Sequence, residues 1–260
     1  QTFQIDHYDK QKTFASFLPG LAGKRGIPLW AFYVNRGQGI SSFGIRDKNG
    51  AIMEFYPANL AYLYNSKIGF RTFIKSSGVV HEVFQPEKTP HSRQMHIRQS
   101  EFSIVEENHD LGLEIRVTYF GLPEEPIAAL VRHVEIKNIT KHAKSFEILD
   151  GISQILPSGI EYGGYKAISN LLRSWMDVDN LDVHVPFYKL RSSTGDEAET
   201  KEFKDGNFYV SIVDGKRVKP IVDQDLVFGM DTALNHASHF SSHSLKQISE
   251  SPQYTANKVP

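Results

Sequence analysis

The chain has 260 residues, and its 29 basic and 30 acidic side chains give a formal net charge of -1. This balance leaves no electrostatic signature of nucleic-acid or anionic-lipid binding, so we expect neither as a partner. Apolar residues make up 40% of the chain and charged residues 23%, which excludes intrinsic disorder and provides enough apolar material for a core. No apolar run approaches the roughly 20 residues of a membrane-spanning helix. The lack of cysteine excludes disulfides, thiolate nucleophiles and Cys-ligated zinc.

The two ends of the sequence suggest a piece of a longer protein. The chain begins at Gln1, without a methionine or a signal-like apolar segment. From His236 onward it becomes rich in Ser, His and Gln, and it reaches Pro260 without a recognisable closing strand. We therefore expect that the natural N-terminus and the end of the last domain lie outside residues 1–260.

The clearest structural signal spans residues 31–55. A strand through Phe32 and Val34 is followed by Gly37-Gln38-Gly39, and a second strand covers residues 40–46. Asn49-Gly50 predicts a type I′ hairpin turn, because both central positions of that turn need positive φ.

Alternating apolar residues predict further strands along the chain. One hairpin runs from Phe102 and Ile104 through a turn at 106–110 and returns along residues 113–119 with period two. Two more strands, 128–137 and 144–149, are predicted to continue this antiparallel meander around a turn at 138–142.

The second half of the chain has weaker strand signals and one helix signal. Apolar residues recur at helical spacing over 165–176, which predicts a helix there. Later strands are predicted at 183–190, at 207–213 and at 218–222, with Asp214-Gly215 as a turn.

These elements together predict a mostly β protein. The expected architecture is a large two-sheet antiparallel β-sandwich, or supersandwich, with one or two short helices. No repeat or low-complexity linker divides the chain, so residues 1–260 are predicted to form one domain that is incomplete at its C-terminal end.

Asn35, Arg36 and Gln38 are the strongest candidates for ligand contacts. Their amide and guanidinium groups lie beside the aromatic residues of segment 30–33, and such a combination can bind sugar hydroxyls while a ring stacks on the apolar sugar face. The alternative is a strand corner in which these groups hydrogen-bond the local backbone. A dinucleotide site is excluded, because the glycines at 37 and 39 lead back into a strand instead of opening a helix.

Two other groups of side chains carry weaker functional signals. His236, His239 and His243 share one face if the segment is helical and would then suit a metal, but a solvated tail is the favoured interpretation. Adjacent acidic residues such as Glu106-Glu107 fall in predicted turns, where they would be solvated or cap backbone groups. Segment 172–191 contains both aromatic residues and arginines. Such residues can form a surface on which a sugar stacks, or they can be buried core residues with partly exposed neighbours. We therefore assign no catalytic residue and no metal ligand.

Several segments resemble the N-terminal β-sandwich domain of the glycoside phosphorylases in glycoside hydrolase family 94, and within it the 1,2-β-oligoglucan phosphorylases. The longest is Gly26-Ile27-Pro28-Leu29-Trp30-Ala31-Phe32-Tyr33-Val34-Asn35-Arg36-Gly37-Gln38-Gly39-Ile40-Ser41-Ser42-Phe43-Gly44. The likeness also includes Phe17-Leu18-Pro19-Gly20-Leu21-Ala22-Gly23 and the segments 52–59, 69–75, 147–151, 186–188 and 228–231.

The resemblance implies a cytoplasmic, often dimeric enzyme that uses inorganic phosphate as co-substrate, and no cofactor, to split a β-1,2-linked glucooligosaccharide. It further implies that α-glucose 1-phosphate is released with inversion, so that a carboxylic acid protonates the leaving oxygen while phosphate attacks from the opposite face. The acid and the phosphate site belong to a C-terminal α/α barrel that this chain lacks, so the chain by itself is expected to be inactive.

The role that the resemblance implies for this domain is to pack on the barrel, to form part of a homodimer interface and to border the sugar site. The corner residues Asn35, Arg36 and Gln38, together with Arg71, are the predicted rim contacts to a β-glucan oligosaccharide. Two rival functions stay open: a free-standing carbohydrate-binding β-sandwich and a purely structural or oligomerisation domain.

Overall fold

The computed structural model describes residues 1–18, 21–22, 27–85, 91–193, 198–199 and 202–255. Its strands are β1 (Phe3–Asp6), β2 (Ala15–Leu18), β3 (Leu21–Ala22), β4 (Ile27–Val34), β5 (Ile40–Ile45), β6 (Ala51–Met53), β7 (Phe70–Ser76), β8 (Val79–Glu82), β9 (Ser92–Ile97), β10 (Glu101–Asn108), β11 (Leu113–Gly121), β12 (Leu130–Asn138), β13 (Glu147–Ile152), β14 (Met176–Asp179), β15 (Phe187–Leu190), β16 (Gly206–Phe208), β17 (Ile212–Val213) and β18 (Lys216–Arg217). The α-helices are α1 (Ala58–Ile68), α2 (Tyr162–Ile168), α3 (Asp225–Phe228), α4 (Ser238–Ser242) and α5 (Leu245–Glu250). Three 3-10 helices cover Tyr8–Lys10, Lys48–Gly50 and Ser169–Trp175.

The described strands form five antiparallel sheets, and the mostly β, sandwich-type fold predicted from the sequence is confirmed. Two sheets have the strand orders β1-β9-β10-β11-β12 and β13-β7-β8. A third has the order β2-β4-β5-β6, with β3 also paired to β4. The others are β14-β15-β16 and the hairpin β17-β18. Five α-helices occur in the described residues, where one or two had been predicted.

The chain divides into two compact units. Unit 1 comprises residues 1–47 and 53–154, and unit 2 comprises residues 48–52 and 155–260. That residues 1–260 form a single, incomplete domain stays a prediction. Segment 19–20 and segment 23–26, which belong to the family resemblance, lie outside the described residues.

The core of unit 1 follows the period-two pattern of the hairpin β10-β11. Leu113, Ile115 and Val117 alternate along β11 and are buried, because successive strand residues point to opposite faces of the sheet. The opposing strand supplies Phe102 and Ile104. The ring of Phe102 lies between those of Tyr33 and Tyr119, with centroid distances of 4.8 and 5.8 Å. The predicted hairpin is therefore confirmed, with its turn after Asn108.

The corner between β4 and β5 depends on glycine at position 39. Gly39 has φ +84°, and a Cβ there would overlap the ring of Phe102. Gly78 has almost the same φ, +83°, but a Cβ at that position would meet nothing within 4 Å. A side chain at either position would have the same backbone strain, but only at position 39 would it also overlap a neighbouring side chain.

We expect Gly39→Ala to destabilise unit 1 more than Gly78→Ala does. Positive φ costs a non-glycine residue about 1 to 2 kcal/mol at either site, and only position 39 adds an overpacking cost of about 1 to 3 kcal/mol. Urea unfolding of the two variants measures the difference. Equal losses of stability would show that the ring of Phe102 moves aside without cost.

Three predicted features of the sequence are wrong in detail. Asn49-Gly50 does not form a type I′ turn, because the 3-10 helix Lys48–Gly50 occupies this site and the nearest positive φ belongs to Arg46. β13 does not continue the meander beside β12; it pairs with β7, so that Leu149 faces Phe73. The expected strand at 218–222 is replaced by β18, whose pairing with β17 uses the correctly predicted turn at Asp214-Gly215.

Unit 2 contains the predicted helix only in shortened form. α2 ends at Ile168, a 3-10 helix covers Ser169–Trp175, and Met176 already belongs to β14. β15 buries Leu190, and burial raises the pKa of Tyr188 in the same strand. The second half of the predicted helix is thus a 3-10 helix that leads directly into β14.

Candidate functional site

The predicted site residues Asn35 and Arg36 hold the N-terminal segment of unit 1. Asn35 is fully buried, and its side-chain amide donates to the backbone oxygens of Tyr8 and Lys12, both at 3.0 Å. Its Oδ1 accepts from the backbone N–H of Phe14 at 2.9 Å. Arg36 donates to the carbonyl oxygens of Asn35 and Gln11 at 2.6 and 3.1 Å. These bonds form a hydrogen-bonded corner, as in the alternative to a sugar contact, but most partners belong to residues 8–14 and not to the local backbone. The sugar contact itself stays a prediction.

Gln38 belongs to a buried polar cluster that we call the Arg132 cluster, made of Gln38, Thr72, Tyr119, Arg132 and Asp150. Arg132 donates to Gln38 Oε1 at 2.5 Å, to Thr72 Oγ1 at 3.1 Å and to the Tyr119 hydroxyl at 3.2 Å. It also forms an ion pair with Asp150. The Thr72 hydroxyl donates to Asp150 Oδ1 at 2.5 Å and accepts from Gln38 Nε2 at 2.9 Å. Nearly every polar atom of the cluster therefore has a partner inside it.

The Arg132 cluster connects elements that are far apart in the sequence. Its members come from the β4-β5 corner and from β7, β11, β12 and β13, all within unit 1. The guanidinium of Arg132 lies 5.2 Å from the ring centroid of Phe70, and its side chain is 7% exposed. Because each partner lies on a different strand or corner, the cluster fixes the relative positions of these elements.

Arg71, the fourth predicted site residue, is not part of this cluster. It precedes Thr72 in β7, and neighbouring strand residues point to opposite faces. Its guanidinium makes a two-pronged ion pair with Glu82, with Nη2 2.7 Å from Oε2, and it lies 4.8 Å from the ring centroid of Phe73. Arg71 therefore joins β7 to β8, and the structure does not bring it together with Gln38.

Sequence reasoning missed a second buried network, the Arg93 network, made of Asp9, Arg93, Glu106 and Asn108. Arg93 donates to Glu106 Oε2 and to Asp9 Oδ2, both at 2.8 Å. Glu106 is fully buried and also accepts from Asn108 Nδ2 at 3.0 Å and from the backbone N–H of Phe84 at 2.6 Å. All three donors to this carboxylate are therefore protein groups.

The surroundings of Arg93 and Tyr8 favour the protonated form of both groups. Burial lowers the pKa of Arg93, but the charge and hydrogen bond of Glu106, together with Tyr8 and Asp9, outweigh burial and raise that pKa above its usual value. Burial raises the pKa of the adjacent Tyr8 well above its ordinary value, and the Tyr8 hydroxyl donates to the carbonyl of Gly37 at 2.7 Å. Both groups therefore stay protonated and serve as fixed donors.

The position of Glu106 corrects the expectation that Glu106-Glu107 lies in a solvated turn. β10 continues to Asn108, so Glu106 shares the buried face with Phe102 and Ile104. The period-two pattern contained this signal, since 102, 104 and 106 have the same parity. The acidic side chain concealed it, because a buried carboxylate is uncommon unless a distant cation pairs with it.

The three candidate histidines lie in an ordered segment and not in a tail, although His236 and His243 are exposed to solvent as expected. The segment contains α4, in which Phe240 is fully buried, and then α5. The N-terminus of α5 is stabilised by a capping box between Ser244, which precedes the helix, and Gln247 in its first turn. The rings of His239 and His243 lie edge to face with centroids 4.1 Å apart. Among the described residues, no group of three His, Asp or Glu side chains is placed to hold a metal ion.

Asp231 organises the turn that leads to α4. Its carboxylate accepts from the backbone N–H groups of Ala233, Asn235 and His236 at 2.9 to 3.1 Å. These bonds, first of all that from His236, lower the pKa of Asp231 below its usual value. The turn is therefore held by an ionised carboxylate.

We expect the stability that Asp231 contributes to be lost in acid. Because its folded-state pKa is lowered, the contribution is complete above the unfolded-state pKa of about 3.9 and disappears as the pH falls through the folded value. Asp231→Asn should therefore unfold more easily than the natural chain near pH 6, and the difference should shrink toward pH 2. Urea unfolding midpoints across this range test the prediction. A difference that does not change with pH would show that the charge is irrelevant.

The two buried networks can position strands, but they expose little reactive surface. Most of their donors and acceptors are directed at one another, with Asp9 Oδ1 and Arg93 Nη2 buried without a hydrogen-bond partner among the described residues. We assign no catalytic role to any of these groups. Within the part of the chain that the structure describes, no helix has both the length and the apolar character needed to cross a membrane. No protein-family model and no curated protein matches the chain.

Proposed function

We propose that this chain is the non-catalytic N-terminal β-sandwich domain of an inverting glycoside phosphorylase acting on β-1,2-linked glucooligosaccharides. In this role it packs against an α/α barrel that carries the reaction, contributes to a homodimer interface and borders the sugar site. The complete enzyme is a cytoplasmic glycosyltransferase that needs inorganic phosphate and no cofactor.

One observation carries the proposal. Three of the segments that resemble the phosphorylase family each supply one member of the Arg132 cluster: Gln38 comes from segment 26–44, Thr72 from 69–75 and Asp150 from 147–151. A shared role in one buried hydrogen-bond network explains why these separated segments carry the resemblance together. This supports a scaffold function, because the network holds strands and leaves its polar groups little capacity for a ligand.

The chemistry assigned to the complete enzyme needs no catalytic group from this chain. Phosphate attacks the anomeric carbon, the glycosidic bond breaks, and a carboxylic acid of the barrel gives its proton to the leaving oxygen. The corner at Asn35, Arg36 and Gln38, together with Arg71, is the part of this domain proposed to lie near the sugar. The internal hydrogen bonds of these residues would hold that rim rigid.

Phosphorolysis by the protein together with the sequence that follows residue 260 in its gene tests the proposal. With inorganic phosphate, we expect glucose 1-phosphate from β-1,2-linked glucooligosaccharides and none from β-1,3- or β-1,4-linked ones. Residues 1–260 alone serve as the matched control and should release none. A gene that ends near Pro260, or a longer protein without activity on any of the three linkages, would refute the proposal.

A further inference from the structure

Three connections of unit 1 surround a surface depression with a volume of about 470 Å³. They are the β7-β8 turn, the β10-β11 turn and the connection from β12 to β13. The polar side chains that line the depression are Ser76, Ser77, His81, Asp110, Lys144 and Ser145. None of these six residues belongs to the Arg132 cluster or to the Arg93 network.

The walls of this depression, which we call the loop depression, are held together by hydrogen bonds. Lys144 Nζ donates to the carbonyl of Leu111 at 2.5 Å, which ties the β12-β13 connection to the β10-β11 turn. The backbone N–H of Ile139 donates to the carbonyl of Gly112 at 3.0 Å, and Asn108 Oδ1 accepts from the N–H of Leu111 at 3.0 Å. Two of the three walls, the β10-β11 turn and the β12-β13 connection, are therefore preformed, and a ligand would lose little free energy in ordering them.

The lining offers hydrogen-bond donors and acceptors together. In the described part of the chain, the hydroxyls of Ser76, Ser77 and Ser145 make no hydrogen bond to another protein group. A serine hydroxyl both donates and accepts, as the hydroxyl of a sugar does.

The charges of the lining favour a neutral ligand. Asp110 and Lys144 have opposite formal charges. The carboxylate of Asp110 also lies 3.9 Å from Nε2 of the buried His91. An anion is attracted by Lys144 and repelled by Asp110, and the reverse holds for a cation, so the lining favours neither sign of charge. A neutral polyol can donate to the carboxylate and accept from the ammonium group.

The depression also has the size and the apolar surface that a sugar requires. Val79 contributes to the lining, and its exposed aliphatic side chain suits the C–H face of a pyranose ring. The volume falls within the roughly 300 to 1,000 Å³ typical of small-molecule sites.

We propose that the loop depression is a binding site for a neutral sugar, a mono- or disaccharide. Ser76, Ser77 and Ser145 exchange hydrogen bonds with its hydroxyls, Asp110 accepts from one of them, and Lys144 donates to another. The site is separate from the rim at Asn35 and Gln38, and it does not depend on phosphorolysis.

The test is a titration of the ¹⁵N-labelled chain with glucose and with the β-1,2-linked glucose disaccharide at millimolar concentrations, followed by amide chemical shifts. We expect shifts that saturate and that are confined to residues 76–81, 110–112 and 143–145. Ser145→Ala and Asp110→Asn should each weaken binding about threefold to tenfold, the effect of one lost hydrogen bond. The matched control is Ser100→Ala, an exposed serine elsewhere in unit 1, which should bind as the natural chain does.

Inorganic phosphate is the second titrant and separates a sugar site from an anion site. Shifts of the same amides with phosphate but not with either sugar would overturn the proposal, and so would sugar-induced shifts located elsewhere. No shift with either sugar would also overturn it. Because no turnover is measured, this outcome is distinct from failure of the proposed phosphorylase function.

Discussion

Replacing Glu106 by glutamine should lower the free energy of unfolding by about 3 kcal/mol or more, the cost of leaving a buried charge without its partner. The carboxylate is fully buried, and the side chain of Arg93 is 4% exposed. Both carboxylate oxygens accept hydrogen bonds: Oε1 from Asn108, and Oε2 from Arg93 and from the backbone of Phe84. A glutamine has a single acceptor oxygen, so its NH₂ group must face at least one of these donors.

Glu107→Gln is the matched control for this experiment. Glu107 is the next residue of β10 and points to the opposite face, where its side chain is 45% exposed and lies 3.7 Å from His109. An exposed pair of this kind contributes about 0 to 1 kcal/mol, so the control should remain close to the natural chain. Urea unfolding at neutral pH measures both variants. Similar stabilities for the two would show that Arg93 finds another partner or water when Glu106 loses its charge.

Replacing Arg132 by methionine should lower the free energy of unfolding by about 2 to 3 kcal/mol. Methionine keeps an unbranched aliphatic side chain but removes the guanidinium beside Phe70 and the donors to Gln38, Tyr119 and Asp150. Asp150 is 25% exposed and can be rehydrated in part, so we expect a smaller loss than for Glu106. The thermal midpoint and the urea midpoint should both fall.

Arg98→Met provides the control for the loss of an arginine. Arg98 is 55% exposed, pairs with Glu101 and donates to Thr2. We expect a change of less than about 1 kcal/mol, because solvent screens this pair. If Arg98→Met and Arg132→Met cost the same, the Arg132 cluster does not hold the strands together.

The two networks differ in what they bring together. The Arg93 network joins Asp9, in the N-terminal segment, to the neighbouring strands β9 and β10. The Arg132 cluster joins elements that are distant in the sequence, between Gln38 and Asp150. Glu106→Gln should therefore loosen the N-terminal segment, and Arg132→Met should loosen the contacts among β7, β12 and β13. Hydrogen exchange of the two variants can distinguish these regions, because protection follows local opening.

The sequence by itself determined the mostly β character of the chain, the hairpin β10-β11 and the turn at Asp214-Gly215. These features are local: period-two alternation identifies a strand and its buried face, and a glycine turn sets where two neighbouring strands reverse. The same parity extends to Glu106, yet the sequence analysis placed this residue in a turn, because the local pattern contains no information on the cation that makes its burial tolerable.

The tertiary structure alone decided which distant residues meet. β13 leaves β12 to pair with β7, and Gln38, Thr72 and Asp150 converge on Arg132 from segments up to 112 positions apart (150 minus 38). The candidate Arg71 was identified from the family resemblance, but its ion pair with Glu82 follows only from the pairing of β7 with β8. Local patterns fix the conformation of a segment and the face it buries, whereas pairing between segments depends on the packing and charge of residues that the sequence does not place side by side.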